Sequence, residues 1–242
     1  KLPEVETKLV LSSFICPQDE RTLVSVSLSQ PLYNTPKNGG SYQPIPNATV
    51  VISSGSSSWT LPYDATIGRY AIDSFQLKVK PGATYHLSVS TPDGKFAEAV
   101  TTIPVLNNSL TYTATENTAQ TDSYIFHAAW QDLPNSTDYY EVELYPQISD
   151  MYRIYEQVAD TRNPGGMLKS NLNFPYDPAM NDTVFATLSN ISVEYYNYYQ
   201  RLEKVQNSGG PFSEPIAMYT NINGGFGVFA GFNRYTVRVF PL

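Results

Sequence analysis

Over the first hundred residues, apolar side chains recur at every second position in short runs, and a turn signal closes each run. In residues 22–29 (TLVSVSLS) Val24, Val26 and Leu28 share one phase and Leu23 takes the other. In residues 84–90 (TYHLSVS) Tyr85, Leu87 and Val89 lie on one face, with His86 and Ser88 opposite. A period of two belongs to a half-buried β-strand and cannot be satisfied by a helix, whose faces repeat every 3.6 residues. Residues 8–15, 49–53, 59–61, 68–72 and 96–103 read as further strands. The turns between them carry Pro81-Gly82 and Pro92-Asp93-Gly94, where Pro presets φ and Gly accepts a positive one. Pro104 ends the series, because proline cannot donate to a central ladder. Seven short strands at this spacing predict an immunoglobulin-like β-sandwich over residues 1–105.

A second β-rich domain is expected over residues 106–242, as a sandwich or partial barrel with one packed helix. Its strands are read at 110–115, 122–130, 139–145, 152–158, 183–193, 216–221 and 235–240. Tyr124, Phe126, Ala128 and Trp130 share one face of the second of these. Residues 163–180, rich in Pro, Gly and Asn, read as a long loop. The helix is predicted at 192–206 (SVEYYNYYQRLEKVQ), with Ser192 as N-cap, Glu194 in the first turn, Lys204 in the last and Gly209-Gly210 as the stop. Val193, Tyr196, Tyr199 or Gln200, Leu202 and Val205 form its apolar stripe. The whole chain is therefore all-β in class, in two sandwich-like domains.

The composition excludes several kinds of chemistry. Charged residues make up 15 % of the chain and its net charge is −7. Without clustered Lys and Arg the chain is not expected to bind nucleic acid or anionic lipid electrostatically. Cys16 is the single cysteine. It excludes an intrachain disulfide and a thiolate metal cage, and reads as a small buried hydrophobe. The longest apolar runs fall short of the ~20 residues of a membrane helix. With no initiator Met and no signal core, the sequence reads as a mature or trimmed chain.

Catalytic signals are weak. His86 and His127 lack the partners of a zinc helix or of a triad, and no G-x-S-x-G elbow is present. Gly225-x-Gly227-x-x-Ala230 mimics a dinucleotide fingerprint, but its flanks read as strands and no βαβ unit surrounds it. It reads as a bulged strand where two backbones approach closely. Asp138, Glu141, Glu143, Asp150 and Glu156 could supply paired carboxylates for glycoside hydrolysis, although such spacing is common on solvated strands. Asp177, Asn181 and Asp182 group loosely without EF-hand spacing. The expectation is no enzyme, no cofactor and no metal ligands.

Tyrosine is the informative residue, with 19 in the chain. Tyr139, Tyr140, Tyr145, Tyr152 and Tyr155 crowd one hairpin; Tyr195, Tyr196, Tyr198 and Tyr199 surround the helix. Four tyrosines at these helical steps cannot all face the core, so at least one, Tyr195 or Tyr198, is expected to lie exposed or under a loop. Exposed tyrosine suits protein interfaces and sugar stacking. Tyr139, Tyr145, Tyr152, Tyr155, Tyr195 and Tyr198 are the candidate binding surface. The other reading is that most of these rings fill the core.

The runs KLVLSSFICP, NATVVIS, LPYDATIGRYAI, KPGATYHLSVSTPDGK and TTIP, then ISVEYYNYYQRLEKV and PFSEPIAMYTNINGGFGVFAGFN, resemble a set of Bacteroidota surface lipoproteins. This family is the domain of unknown function numbered four-two-four-nine. The resemblance spans nearly the whole chain. It implies an exported lipoprotein of the outer membrane or cell surface, anchored through a lipid-bearing Cys just before Lys1. It further implies an accessory role beside a TonB-dependent outer-membrane receptor in nutrient capture. The family supplies no catalytic residues to carry over. The alternative function is a glycan-binding module using exposed Tyr or Trp; a glycan or peptide is the expected ligand class. A carboxylate glycosidase or an adhesin subunit stands further off.

Overall fold

A computed structural model describes residues 6–30, 43–120, 122–134, 136–147, 153–160, 165–176, 183–208 and 216–240. The chain forms two compact units, one of residues 1–103 and 192–232, the other of residues 104–191 and 233–242.

The first unit is a β-sandwich. One sheet has the order β4 (Ser57–Leu61), β3 (Thr49–Ser54), β7 (Thr84–Ser90), β8 (Phe96–Thr102), all antiparallel. The other runs β1 (Leu9–Ile15), β2 (Arg21–Leu28), β6 (Arg69–Asp73), β5 (Tyr63–Asp64). Burial follows the alternation in the sequence: Leu9, Leu11 and Ile15 of β1, Val24 and Val26 of β2, and Tyr85, Leu87 and Val89 of β7 all enter one core. Register places Leu11 opposite Val26 and Ile52 opposite Leu87, so both inner faces stay apolar. Tyr70 is buried, and its hydroxyl donates to the Ile45 carbonyl at 2.7 Å while accepting from the Ala48 amide at 2.7 Å. Cys16 is buried, as expected of a small hydrophobe.

The free edge of β1 is closed by β15 (Gly225–Phe240), whose first residues run parallel to it from Leu9 opposite Gly225 to Ile15 opposite Gly231. The Gly-rich run is thus a strand at a close backbone approach. Gly227 has φ +108°, and a Cβ there would overlap the Leu11 carbonyl oxygen. Only glycine fits such a conformation at such a distance. Ahead of β15, Asn221 accepts from the Phe229 amide at 3.0 Å and donates to the Phe229 carbonyl at 2.8 Å, copying a strand partner with its side chain.

Helix α1 (Val193–Asn207) belongs to the first unit, not to the second as the sequence suggested. Ser192 caps it, accepting from the Tyr195 amide at 3.3 Å. Of the predicted stripe, Val193 is 41 % exposed, while Tyr196, Tyr199, Leu202 and Val205 are half-buried. An aromatic cluster adds to the docking. The Phe14 ring, projecting from β1, meets Tyr195, Tyr198 and Tyr199 at centroid distances of 5.3, 5.8 and 5.7 Å. Tyr199 is common to the predicted stripe and to this cluster, and the flat rings of Tyr195 and Tyr198 widen the contact beyond the stripe. No helix of the described residues is long and apolar enough to cross a membrane.

The second unit is also a sandwich. One sheet is β13 (Met167–Pro175), β10 (Ser123–Gln131), β9 (Thr111–Glu116). The other is β12 (Ile154–Ala159), β11 (Tyr139–Pro146), β14 (Val184–Ile191) and the later residues of β15. Phe126, Ala128 and Trp130 face Tyr140, Val142 and Leu144 across the core, joined by Leu172, Phe174, Ala186 and Leu188. Strand β13 lies inside the segment expected to be a loop. Its Ser170, Leu172 and Phe174 are buried and alternate with Lys169, Asn171 and Asn173. Period two was present there, but Asn and Lys on the outer face made the composition look like a loop. The segment 216–221, expected as a strand, carries no regular structure.

Candidate functional site

Strand β11 sends Tyr140, Val142 and Leu144 into the core, so Tyr139, Glu141, Glu143 and Tyr145 occupy the opposite face. Its neighbours add to that face by register. Tyr155 of β12 stands opposite Glu143, Gln157 opposite Glu141, and Phe185 of β14 opposite Tyr145.

The polar groups of this face are paired locally. Gln157 donates to the Glu141 carboxylate at 2.9 Å. An Arg153 guanidinium nitrogen lies 3.0 Å from a Glu143 carboxylate oxygen. The same guanidinium sits 4.9 Å from the Tyr145 ring centroid, a cation–π distance. Tyr145 in turn packs on Phe185 with centroids 5.7 Å apart. Burial pushes the Glu143 carboxyl above its ordinary range, against the opposing charges of Arg153 and Arg234. Tyr155 is 53 % exposed. The result is a rigid sheet surface of flat rings, one guanidinium and hydrogen-bonded carboxylates. It offers contact area and directional polar groups.

Three of the six candidate tyrosines, Tyr139, Tyr145 and Tyr155, are therefore brought onto one sheet face. Tyr195 and Tyr198 are not among them. They lie in the first unit, half-buried against Phe14. Tyr152 lies outside the described residues. Both tryptophans are committed elsewhere: Trp130 is fully buried, and Trp59 packs against the first core. His86 is exposed. His127 bridges the Thr115 hydroxyl at 3.1 Å and the Asn171 side-chain oxygen at 2.8 Å across β9, β10 and β13. Asp150, Asp177, Asn181 and Asp182 lie outside the described residues.

A second cluster was not foreseen. Asp132 follows β10, Asp138 precedes β11 and Asp160 follows β12. Their carboxylates place one oxygen each within 4.8 Å of the others. Pairing of Tyr139 with Ala159 sets Asp138 beside Asp160, whose amide donates to the Asp138 carbonyl at 3.2 Å. Asp132 is fixed from two sides, by the Tyr140 hydroxyl at 2.7 Å and the Gly165 amide at 2.6 Å. Ser136 donates to Asp138 at 2.6 Å. Burial raises the Asp138 and Asp160 carboxyls above their usual range, and the neighbouring carboxylates push the same way. The sequence carried part of this signal, an acid at each end of the turn-rich loop Asp132-Leu-Pro-Asn-Ser-Thr-Asp138. The hairpin register that adds Asp160 was not visible.

The family model described as "Domain of unknown function (DUF4249)" matches residues 1–238. The chain belongs to the DUF4249 family. No curated protein sequence matches it. Among solved structures it is similar to a mutant of Salmonella alpha-2-macroglobulin, at 10 % identity and a TM-score of 0.27. That match covers 100 % of this chain and 15 % of the other, so the chain spans a small part of that protein's length. For this DUF4249 member, function has to be argued from its own surface.

Proposed function

We propose that this DUF4249 chain is a non-catalytic binding protein of the bacterial cell envelope. In this reading it is lipid-anchored at the outer membrane or cell surface and assists a TonB-dependent receptor in nutrient capture. The observation that carries the binding role is the outer face of β11 and β12. There Tyr155 is 53 % exposed beside an Arg153 that stacks on Tyr145. Tyr and Arg are the residues most enriched where proteins meet, because each presents flat area and directed hydrogen bonds at small entropic cost. Paired strands β11 and β12 carry Tyr145 and Tyr155, and Arg153 is held by Glu143 and the Tyr145 ring, which limits the ordering cost of association. The envelope location and the receptor rest on the resemblance of the quoted runs to surface lipoproteins.

The test is isolation of the full-length protein from native membranes in mild detergent. A β-barrel receptor should co-purify, and Tyr155→Ala combined with Arg153→Ala should reduce its recovery at least tenfold. Isolation as a clean monomer would refute the receptor role. Undiminished recovery with the double variant would refute the assignment of this face.

A further inference from the structure

We propose that Asp132, Asp138 and Asp160 form a calcium site that ties together the ends of β10, β11 and β12. Beyond the proximity of three acids, the argument stands on Asp160. Its side chain is 1 % exposed, and neither carboxylate oxygen has a hydrogen-bond partner. More than about nine in ten buried polar groups in folded proteins have one. A buried carboxylate left unpaired beside two others is doubly unfavourable, through lost hydration and through like-charge repulsion. The other two carboxylates are held in place. The Tyr140 hydroxyl and Gly165 amide orient Asp132, and the Ser136 hydroxyl orients Asp138. Fixed donors behind ligating groups are the usual second layer of a metal site.

The donor set selects the ion. All three groups are hard carboxylate oxygens, and no His or Cys belongs to the cluster. That favours calcium or magnesium over zinc or copper. Calcium takes oxygens at about 2.3–2.6 Å, so two ligands on opposite sides of it stand up to about 5 Å apart. Magnesium, at about 2.1 Å, limits that span to about 4.2 Å. Oxygens lying within 4.8 Å of one another fit the calcium span, and calcium accepts the irregular geometry of groups drawn from three strand ends, whereas magnesium demands a near-ideal octahedron. A divalent charge would offset most of the three negative ones and satisfy Asp160, with water completing the shell.

The experiment uses the full chain stripped with EDTA, titrated with calcium by calorimetry and followed by thermal unfolding. One ion should bind, and calcium at a hundred times its dissociation constant should raise the folded-to-unfolded ratio about a hundredfold. Magnesium should bind at least tenfold more weakly. Asp160→Asn should lower calcium affinity at least tenfold, and Asp138→Asn, at a half-buried position, should do the same if the first variant folds poorly. Terbium luminescence sensitised by Tyr140 should appear in the wild type and fade in either variant. No heat and no melting shift up to 10 mM calcium, a concentration well above the about 10⁻³ M constants of weak extracellular sites, would overturn the proposal. It would equally be overturned by binding that both variants leave intact, which would place the ion elsewhere. Stabilisation by acid without any response to calcium would overturn it as well, since a shared proton would then do the work assigned to the metal.

Discussion

Replacing Gly227 with alanine tests whether the parallel seam between β1 and β15 holds the first unit together. Gly227 lies opposite Leu11 with φ +108°, and an added Cβ would overlap the Leu11 carbonyl oxygen and stand 2.9 Å from its carbon. Three costs follow. Holding alanine at this φ costs about 1–3 kcal/mol. Inserting a methyl where no space exists costs about 1–3 kcal/mol. If β15 instead moves away, each ladder hydrogen bond lost to Leu11 and its neighbours costs about 0.5–1.5 kcal/mol net. Strand movement relieves the clash only by breaking the ladder, so the second and third costs are alternatives. The total is about 2–6 kcal/mol, a large share of the ~5–15 kcal/mol that stabilises a domain. Gly55→Ala is the control. Gly55 has φ +57° with nothing within 4 Å of the point where a methyl would stand, so it carries only the backbone cost of about 1 kcal/mol. Equilibrium urea unfolding followed by circular dichroism should put Gly227→Ala about 1–5 kcal/mol below Gly55→Ala, the difference between the two totals. Equal stabilities of the two variants would show that β1 and β15 are not packed as described.

Two further outcomes are expected. Phe14→Ala removes the ring on which Tyr195, Tyr198 and Tyr199 converge. Full burial would make this cost about 3–5 kcal/mol and half-burial roughly 2, so amides of 193–207 should exchange about 10- to 100-fold faster; unchanged protection would refute aromatic docking of α1. Glu143→Gln tests the sign of a buried charge. The folded carboxyl titrates above its unfolded value because burial outweighs Arg153 and Arg234. Below the unfolded pKa both states are protonated and the charge costs nothing; as pH rises through the interval, wild-type stability falls. The variant should therefore gain on the wild type from pH 4 to pH 7, with only a small loss from the half-exposed Arg153 pair. Denaturation midpoints at the two pH values decide it, and a variant that loses ground toward pH 7 would reverse the assignment.

The amino-acid order by itself specified the strands of the first unit, because alternation over five to eight residues is a local property that a single buried face imposes. Although Leu28, at the end of β2, is 39 % exposed, Val24, Val26, Tyr85, Leu87 and Val89 are buried as their phase required. It also specified α1 and its Ser192 cap, and it marked the glycine run as a close approach. Composition masked β13, whose period-two alternation of Leu172 and Phe174 is interleaved with outward Lys and Asn. Local pattern could not reveal that residues 192–232 return to the first unit, since the parallel pairing of β1 with β15 joins positions more than two hundred residues apart. The tyrosines were visible as a cluster, but strand register chose which of them share a face. Register also brought Asp160 to Asp132 and Asp138. Periodicity tells a side chain which way to point; only the packed chain settles which other side chain it meets, because pairing partners are selected by the burial of whole sheets and not by neighbours in sequence.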